Sequence, residues 1–395
     1  MRDFGISGLD NPEFYNCSVS CDEENRTITP SHNLKISKSH NPAITKFIIM
    51  FRFGVIGGGS WATALVKILT DNKLTVNWWV RNEQVMQHIQ QRHHNPNYLS
   101  SVYFDTALLK ISTHIDEIIS DSECVIIAMP SAYVAGACSH LAAGAFHNKK
   151  VISAVKGILP EENLLVNDYL KQQFDLPLND YFTVMGPCHA EEVAAEKLSY
   201  LTFSGLDEHK LQQLAGCFKT VYLNTVLNHD VYGVQYAAIL KNIYALGSGI
   251  AHGLEYGDNF LSVLIANCAD EMAGFLRKSG IRNVEVGVHE DEGDHLHKKT
   301  ANYAASVYLG DLLVTCYSLY SRNRTFGNMI GKGYAVKTAL LEMNMVAEGY
   351  NASKCIHVIN KEVKATMPIA DTVYQILWEG LAPRAGFSII EESLI

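Results

Sequence analysis

Two glycines and an alanine follow a short apolar run at a spacing that could hold a phosphate group. Phe53–Ile56 is predicted to be a buried strand, and Gly57, Gly59 and Ala62 follow it in the pattern G-x-G-x-x-A. The first glycine permits a tight turn, the second lets the backbone approach a pyrophosphate, and the small third residue allows close helix–strand packing. Ser60–Leu69 is predicted to be a helix whose first amide groups face the phosphates. The pattern therefore predicts a dinucleotide site.

Arg81 follows the second predicted strand of this frame, Thr75–Val80. A domain that prefers NAD usually carries an acidic residue near this point, where it hydrogen-bonds the ribose hydroxyls. An arginine suits a 2′-phosphate instead. The sequence thus predicts that NADPH or NADH is the cofactor and favours NADPH, although an exposed arginine at a strand end has the same pattern.

A lysine and an asparagine, Lys241 and Asn242, stand together in the apolar stretch YAAILKNIYALGSGIA, residues 236–251. Apolar residues on every face predict a helix inside the core. An unpaired ammonium there would cost several kcal/mol or lose its proton. Lys241 therefore either extends its amine to the surface or meets a partner from elsewhere in the chain.

Three further apolar runs predict strands of the same sheet: Cys124–Met129, Lys150–Val155 and Tyr181–Met185. Long helical stretches separate these runs, so we expect parallel strands whose carboxyl ends share one edge, where such folds bind ligands. Lys156 emerges at this edge beside Gly157 and could bind an anion. The alternative is a solvated lysine in a turn.

The bulk composition limits the class of protein. The chain has 395 residues and a formal net charge of −9, which argues against a general nucleic-acid binder. No apolar run is long enough to span a membrane. Nine cysteines without a CxxC pair predict reduced core residues of a cytoplasmic protein. The last part of the chain has helical patterns only, at Val231–Ile250, Asn259–Lys278, Arg322–Lys332, Thr338–Met343, Ala352–Lys361 and Ile369–Trp378.

These patterns predict an α/β fold in three parts. Residues 1–49 are polar and without periodicity, which is typical of a disordered extension. Residues 50–228 are predicted to form a Rossmann-like, doubly wound NAD(P)-binding domain, and residues 229–395 an all-α domain that supplies the substrate and catalytic groups. Met50 directly precedes the first strand, so we expect the functional protein to begin near it.

Seven ordered motifs resemble the bacterial type of NAD(P)-dependent glycerol-3-phosphate dehydrogenase, from about Phe53 to Gly380. They are GVIGGGSWATALV, AVKGI, MGPCHAEEVA, LKNIYALGSGIAHGLEYGDN, LGDLLVTCYSLYSRNRTFG, VAEGYNASK and MPIADTVYQILWEG. One motif would be weakly specific, whereas seven in family order are highly specific. The resemblance implies reversible reduction of dihydroxyacetone phosphate to sn-glycerol 3-phosphate by NAD(P)H. It also implies a cytoplasmic role in glycerophospholipid synthesis and is compatible with a homodimer.

The resemblance implies roles for individual residues. Lys241 matches the family's catalytic lysine, which would stabilise the charge on the substrate oxygen and deliver a proton. Asp311 would orient that lysine, and Thr315 and Asn242 would hydrogen-bond the substrate. Arg322 would contact phosphate oxygens, which suit an arginine fork.

The matched positions form a substrate set and a cofactor set, and none is assigned to a metal. The substrate set is Lys156, Gly186, Cys188, Lys241, Asn242, Asp311, Thr315, Ser321, Arg322 and Asn323. The cofactor set is Gly57, Gly59, Ser60, Trp61, Arg81, Lys156, Ala190, Arg322, Val346 and Glu348. For Glu348, the alternative is a charged residue that merely opens a helix.

Three features depart from the family pattern. Cys188 stands where Ser or Thr is common, which weakens one hydrogen bond near the cleft. YLGDL replaces the commoner Gly-Leu-Gly-Asp-Leu at Asp311. The segment Gly287–Ser306 is charged rather than short and glycine-rich. Three histidines of this segment, His289, His295 and His297, could suggest a metal site. A solvated, charged loop is the favoured interpretation.

Three other protein classes share part of this sequence pattern. A two-domain dehydrogenase of the 6-phosphogluconate or β-hydroxyacid type also pairs a Rossmann domain with helices and uses a lysine. The SRNR motif and the motif order speak against it. A non-catalytic NADP-binding regulator would have no reason to retain Lys241, Asp311 and Arg322 together. Only the polar N-terminal segment favours a structural or interaction protein.

Overall fold

An eight-stranded sheet forms the centre of the first half of the chain. The computed structural model describes residues 51–281, 305–343 and 345–394. The predicted extension at residues 1–49 and the three histidines of the charged segment lie outside these ranges. The strands are β1 (Phe53–Ile56), β2 (Val76–Trp79), β3 (Leu109–Ser112), β4 (Cys124–Ile127), β5 (Lys150–Ser153), β6 (Tyr181–Met185), β7 (Ser199–Ser204) and β8 (Leu223–Asn228).

The strand order, β3-β2-β1-β4-β5-β6-β7-β8, places a topological switch between β1 and β4. Strands β1 to β6 are parallel, as predicted for the five that the sequence indicated. β7 pairs antiparallel with β6, and β8 pairs parallel with β7. The carboxyl ends of β1, β4, β5 and β6 therefore meet at one edge, where ligands of doubly wound sheets bind.

Helices cover both faces of this sheet, because its central strands carry apolar residues on both sides. Phe53 of β1 belongs to the core on one face and Val125 of β4 to the core on the other. Leu65 and Ile118, from helices on opposite sides, contribute to these two cores. The helices are α1 (Ser60–Asp71), α2 (Glu83–Arg92), α3 (Ile115–Ser120), α4 (Val134–Cys138), α5 (Val166–Phe174), α6 (Ala190–Ala194) and α7 (Glu208–Gly216).

The described residues after β8 form helices, which confirms the predicted α/β fold with a helical C-terminal part. All six predicted helices are present, with ends shifted by a few residues. A π-helical turn at Ala305–Gly310 leads into α10, and another at Gln375–Glu379 follows α14. The helices are α8 (Val231–Gly253), α9 (Asp258–Lys278), α10 (Asp311–Tyr317), α11 (Arg322–Gly331), α12 (Val336–Glu342), α13 (Glu348–Val363), α14 (Pro368–Tyr374) and α15 (Pro383–Ser393). No described helix is long and apolar enough to cross a membrane.

Helix α8 is the centre of the helical part, and α11 packs against it at backbone distance. A Cβ atom at Gly249 would lie 2.1 Å from the carbonyl oxygen of Arg324, and one at Gly327 would lie 2.1 Å from that of Leu246. Only glycine permits this approach. The two helices therefore run side by side, and their contact fixes the start of α11 over the middle of α8.

Candidate functional site

A cleft of about 1270 Å³ lies between the carboxyl edge of the sheet and the helical part. It brings together almost all of the residues that the sequence singled out. Gly186 alone does not line it, but its carbonyl oxygen accepts a hydrogen bond from Lys156 Nζ at 2.8 Å. The lining residues from the predicted sets are Gly57, Gly59, Ser60, Trp61, Arg81, Lys156, Cys188, Ala190, Lys241, Asn242, Asp311, Thr315, Ser321, Arg322, Asn323, Val346 and Glu348.

Lys241 meets a partner inside the protein rather than reaching the surface. The residue is only 4% exposed. Its Nζ atom lies 2.5 Å from Oδ1 of Asp311 and donates a second hydrogen bond to Oγ1 of Thr315 at 3.0 Å. Asp311 and Thr315 stand one turn apart on α10, so this helix presents both groups to the amine.

Burial governs the protonation of this amine. Desolvation lowers the pKa of Lys241 to about 8; the carboxylate of Asp311 opposes this shift and the charge of Lys156 adds to it. An amine with such a pKa exchanges its proton readily near neutral pH. The pair can therefore serve as a general acid or as a general base.

The carboxylate of Asp311 lies between two ammonium groups. Its Oδ2 atom is 3.5 Å from Nζ of Lys156, and its Oδ1 atom binds Lys241. Lys156 follows β5, as predicted, whereas Lys241 belongs to α8. One negative charge thus joins the sheet edge to the helical part and leaves an excess of positive charge in the cleft.

Two amide side chains tie the other elements of the cleft together. Nδ2 of Asn242 donates to the carbonyl oxygen of Lys156 at 2.8 Å. Nδ2 of Asn323 donates to Oδ1 of Asn242 at 2.9 Å, and Oδ1 of Asn323 accepts from the backbone N–H of Gly349 at 2.9 Å. The second N–H of Asn242 has no acceptor among the described residues, and its contact with substrate stays a prediction.

The start of α11 forms the cationic end of the cleft. Ser321 caps this helix, because its Oγ accepts from the N–H of Arg324 at 3.3 Å. Arg322 is the first helical residue and donates to the carbonyl oxygen of Val346 at 3.4 Å, which uses one of its five N–H groups. A guanidinium beside a helix N-terminus is a favourable arrangement for phosphate oxygens.

The glycine-rich loop, which also lines the cleft, fits a dinucleotide. Gly57 has a φ of +140°, and a Cβ atom there would lie 2.2 Å from the carbonyl oxygen of Ala128. At Gly59, by contrast, an added Cβ would meet nothing within 4 Å, so a ligand can approach the backbone where α1 begins. Nε1 of Trp61 is buried and has no hydrogen-bond partner among the described residues. Arg81 is exposed at the rim of the cleft.

Glu348 bridges the two halves of the cleft. It is the first residue of α13, which agrees with the simpler interpretation of this charge as a helix opener. Its carboxylate also accepts from the backbone N–H of Ser131 at 2.9 Å and from the hydroxyl of Ser131 at 2.6 Å. Burial raises the pKa of Glu348, and the two bonds from Ser131 oppose that shift. The loop after β4 is thus attached to the helical part.

The sequence matches the two family models for the N-terminus and the C-terminus of NAD-dependent glycerol-3-phosphate dehydrogenase, at residues 52–211 and 230–388. The chain belongs to this family. It is 32% identical over 336 residues to a glycerol-3-phosphate dehydrogenase [NAD(P)+] of Bacillus subtilis, covering 84% of this chain and 91% of the relative. The enzyme of that name from Bacillus pumilus is 31% identical, with the same shares covered.

Solved structures of glycerol-3-phosphate dehydrogenases have the same fold. The structure from Coxiella burnetii has a TM-score of 0.74 at 23% identity and covers 87% of this chain and 99% of that one. The structure from Plasmodium falciparum has a TM-score of 0.71 at 21% identity, with 87% and 96% covered. The doubly wound domain and the helical domain predicted from the sequence are thus the architecture of this family.

His189 is a cleft residue that the sequence analysis did not select. It stands between Cys188 and Ala190, which the family resemblance did select, in the motif MGPCHAEEVA. Its position between two predicted contact residues is the sequence feature that could have identified His189 as a cleft residue. Burial lowers the pKa of His189 to about 4, and the charges of Lys156 and Lys241 add to this effect. Burial also raises the pKa of the Cys188 thiol to about 11.

No three histidine, cysteine, aspartate or glutamate side chains converge as a metal site in the part of the chain that the structure describes. The histidines considered as metal ligands, at 289, 295 and 297, lie outside that part. The seven described cysteines are buried and free, as expected for core residues. The polar groups of the cleft include amines, guanidinium groups, amides and hydroxyls, which suit an anionic organic substrate.

Proposed function

We propose that the protein catalyses the reversible reduction of dihydroxyacetone phosphate to sn-glycerol 3-phosphate with NAD(P)H. The observation that carries this proposal is the buried pair of Lys241 and Asp311 in the cleft of a glycerol-3-phosphate dehydrogenase fold. A lysine with a pKa of about 8 can hold or release a proton under the conditions of such a reaction.

Bound nicotinamide cofactor supplies or accepts the hydride at C2 of the substrate. In the reduction, Nζ of Lys241 binds the substrate oxygen, stabilises its developing negative charge and gives it a proton. In the oxidation, the uncharged amine removes the proton of the C2 hydroxyl. Asp311 holds the amine at one place in both directions, and Thr315 fixes its orientation.

The substrate and the cofactor are assigned to different groups of residues in the cleft. We assign the substrate phosphate to Lys156, Arg322 and the start of α11, where positive charge is in excess. We assign the pyrophosphate of the cofactor to the loop at Gly57–Gly59, and the 2′-phosphate of NADPH to Arg81. NADPH is therefore the favoured cofactor within a family that uses NAD(P).

A direct assay tests the reaction. The purified chain is mixed with dihydroxyacetone phosphate and NADPH, and then with NADH, and the nicotinamide absorbance is followed. Rapid loss with NADPH is the expected result. If neither cofactor is oxidised, including with a chain that starts at Met50, the proposed reaction is wrong.

The Lys241→Ala variant tests the assigned acid. Turnover should fall by about 10³-fold, because both proton transfer and charge stabilisation are lost. Binding of NADPH, measured by fluorescence titration, should stay within twofold. Lys67→Ala is the matched control, since Lys67 is also a buried lysine paired with carboxylates but does not line the cleft. Near-normal turnover in Lys241→Ala would contradict the proposed role of Lys241 in proton transfer.

We also propose that the protein acts in the cytoplasm, supplies glycerol 3-phosphate for phospholipid synthesis and forms a homodimer. Family membership supports these proposals. Light scattering on the purified full chain measures the assembly directly, and a monomer at micromolar concentration would contradict the homodimer.

A further inference from the structure

His189 lines the cleft and carries a buried polar atom that has no partner among the described residues. The residue immediately precedes α6, and its backbone carbonyl accepts from the N–H of Val193 at 3.1 Å. Its Nε2 atom is buried and has no hydrogen-bond partner among the described residues. Buried polar atoms are nearly always hydrogen-bonded, so such an atom in a binding cleft indicates contact with a ligand.

The charged groups that act on His189 come from four elements. Lys156 follows β5, Lys241 lies on α8 and Arg322 opens α11; all three are cations. Asp311 of α10 is the anion among them, and the ring of Tyr320 lies with its centroid 6.0 Å from that of the imidazole. Cations therefore outnumber anions among the charged groups that act on the imidazole, which favours binding of a dianion beside it.

The protonation state of the imidazole fits a hydrogen-bond donor without charge. With its pKa lowered to about 4, His189 is neutral at pH 7. A neutral imidazole carries one N–H, and an N–H at Nε2 can donate to an anionic oxygen. The ring thus adds a directed bond where three cations already supply the charge.

We propose that His189 is a substrate-binding residue whose Nε2–H donates to a phosphate oxygen of the bound substrate. This inference rests on the proposed function and adds a residue to its phosphate site. Lys241 binds the reacting oxygen in the proposed mechanism, so His189 acts on substrate affinity and not on the proton transfer.

Two amide variants separate the ring nitrogens. In His189→Gln, the side-chain Nε2 of glutamine can take the place of the imidazole Nε2, whereas His189→Asn retains only a group near Nδ1. We expect the KM for dihydroxyacetone phosphate to rise roughly tenfold or more in His189→Asn, because a hydrogen bond to a charged group is lost. The rise should be at most threefold in His189→Gln. The KM for NADPH should change less than twofold in both.

Direct binding provides a readout other than turnover. Calorimetric titration of the full chain with glycerol 3-phosphate should show a Kd raised in His189→Asn by the same factor as the KM. Inorganic phosphate should likewise bind more tightly to wild-type protein and to His189→Gln than to His189→Asn. In NMR spectra of the wild-type protein, the imidazole proton resonance of His189 should also shift when glycerol 3-phosphate binds.

Each other outcome overturns the inference. Unchanged affinity for glycerol 3-phosphate in His189→Asn excludes a phosphate contact. Equal losses in both variants, for substrate and for NADPH alike, identify a structural role instead. If wild-type protein neither reduces dihydroxyacetone phosphate nor binds glycerol 3-phosphate, the proposed function fails together with this inference. If wild-type protein does both and His189→Asn matches it, the inference alone fails.

Discussion

Nζ of Lys241 lies 2.5 Å from Oδ1 of Asp311, although 70 residues separate the two in the chain. Their side chains are only 5% and 2% exposed. Burial disfavours the charge on the amine, and the carboxylate partly restores it, so the pKa of Lys241 is set by the balance of two large effects. Changes to either residue should therefore appear in the pH dependence of the reaction.

The first prediction concerns the two directions of catalysis. Reduction needs the ammonium form of Lys241, so its rate should fall as the pH rises through about 8. Oxidation needs the free amine, so its rate should rise over the same range. Initial rates measured from pH 6 to 10 in both directions check this.

Asp311→Asn adds a second test of that pair. The carboxylate of Asp311 raises the pKa of Lys241, so replacing it with an amide should move both pH profiles to lower pH. An unchanged midpoint in Asp311→Asn, or profiles of the same sign in the two directions, would contradict the assignment of Lys241 as the titrating group.

The second prediction concerns cofactor choice. Arg81→Asp should lower the ratio of kcat/KM for NADPH to that for NADH by at least about tenfold, because a charged bond to the 2′-phosphate is replaced by repulsion. Arg92→Asp is the matched control: Arg92 is another exposed arginine, but it lies outside the cleft. If both variants change the ratio equally, the effect belongs to net charge and not to Arg81.

The third prediction concerns the contact of α8 with α11. Gly249→Ala should lower the free energy of unfolding by about 1–3 kcal/mol or more, since the added Cβ would lie 2.1 Å from a backbone oxygen. Gly274→Ala on α9 should instead be neutral or stabilise by up to about 1 kcal/mol, because its Cβ meets nothing within 4 Å. Urea denaturation of both variants measures the difference. Equal effects would refute the packing argument.

The fourth prediction concerns stability and pH. Glu271 accepts from the first free N–H groups of α14, those of Ile369 and Ala370, at 2.9 and 3.0 Å, and from the hydroxyl of Tyr244 at 3.2 Å. Burial raises the pKa of Glu271 to about 7 from its ordinary 4.5. The folded state therefore binds this proton more tightly than the unfolded chain does.

The sign follows from this raised pKa. The contribution of Glu271 is fully present below about pH 4.5 and is lost as the pH rises through about 7. Relative to Glu271→Gln, which does not titrate, wild-type protein should lose up to roughly 3 kcal/mol of unfolding free energy between pH 4.5 and 8. Denaturation of both proteins across this range gives the difference, and a constant difference would refute the shift.

The central strands and the glycine loop could be predicted because their signals are local. β1 and β6 were predicted at their observed bounds, since each is a continuous apolar run. β3 and β8 were not predicted because they form the two edges of the sheet, where partial exposure shortens the apolar pattern. β7, SYLTFS, carries buried hydroxyl residues that interrupt its apolar run.

Contacts between distant parts of the chain were harder to predict. The apolar residues around Lys241 predict that its amine either reaches the surface or meets a partner, and their spacing does not name Asp311; only the family resemblance did so. His189 escaped notice because its burial and its lack of a partner are properties of the folded cleft. Local pattern thus predicts elements, whereas the pairing of charges requires the fold.

The hydrogen bonds of the two amides at the floor of the cleft, Asn242 and Asn323, all run in one direction, from Gly349 to Lys156. The N–H of Gly349 can only donate and the carbonyl of Lys156 can only accept, so the groups at the two ends orient both side chains between them. Aspartate has nearly the same shape as asparagine, but at either position it would place a carboxylate oxygen where the amide N–H now donates, facing another oxygen acceptor. The floor of the cleft therefore distinguishes an amide from a carboxylate by polarity alone. Spontaneous deamidation of Asn242 would break its bond to Lys156, and deamidation of Asn323 would break the bond that joins α11 to α8, without removing a single carbon atom.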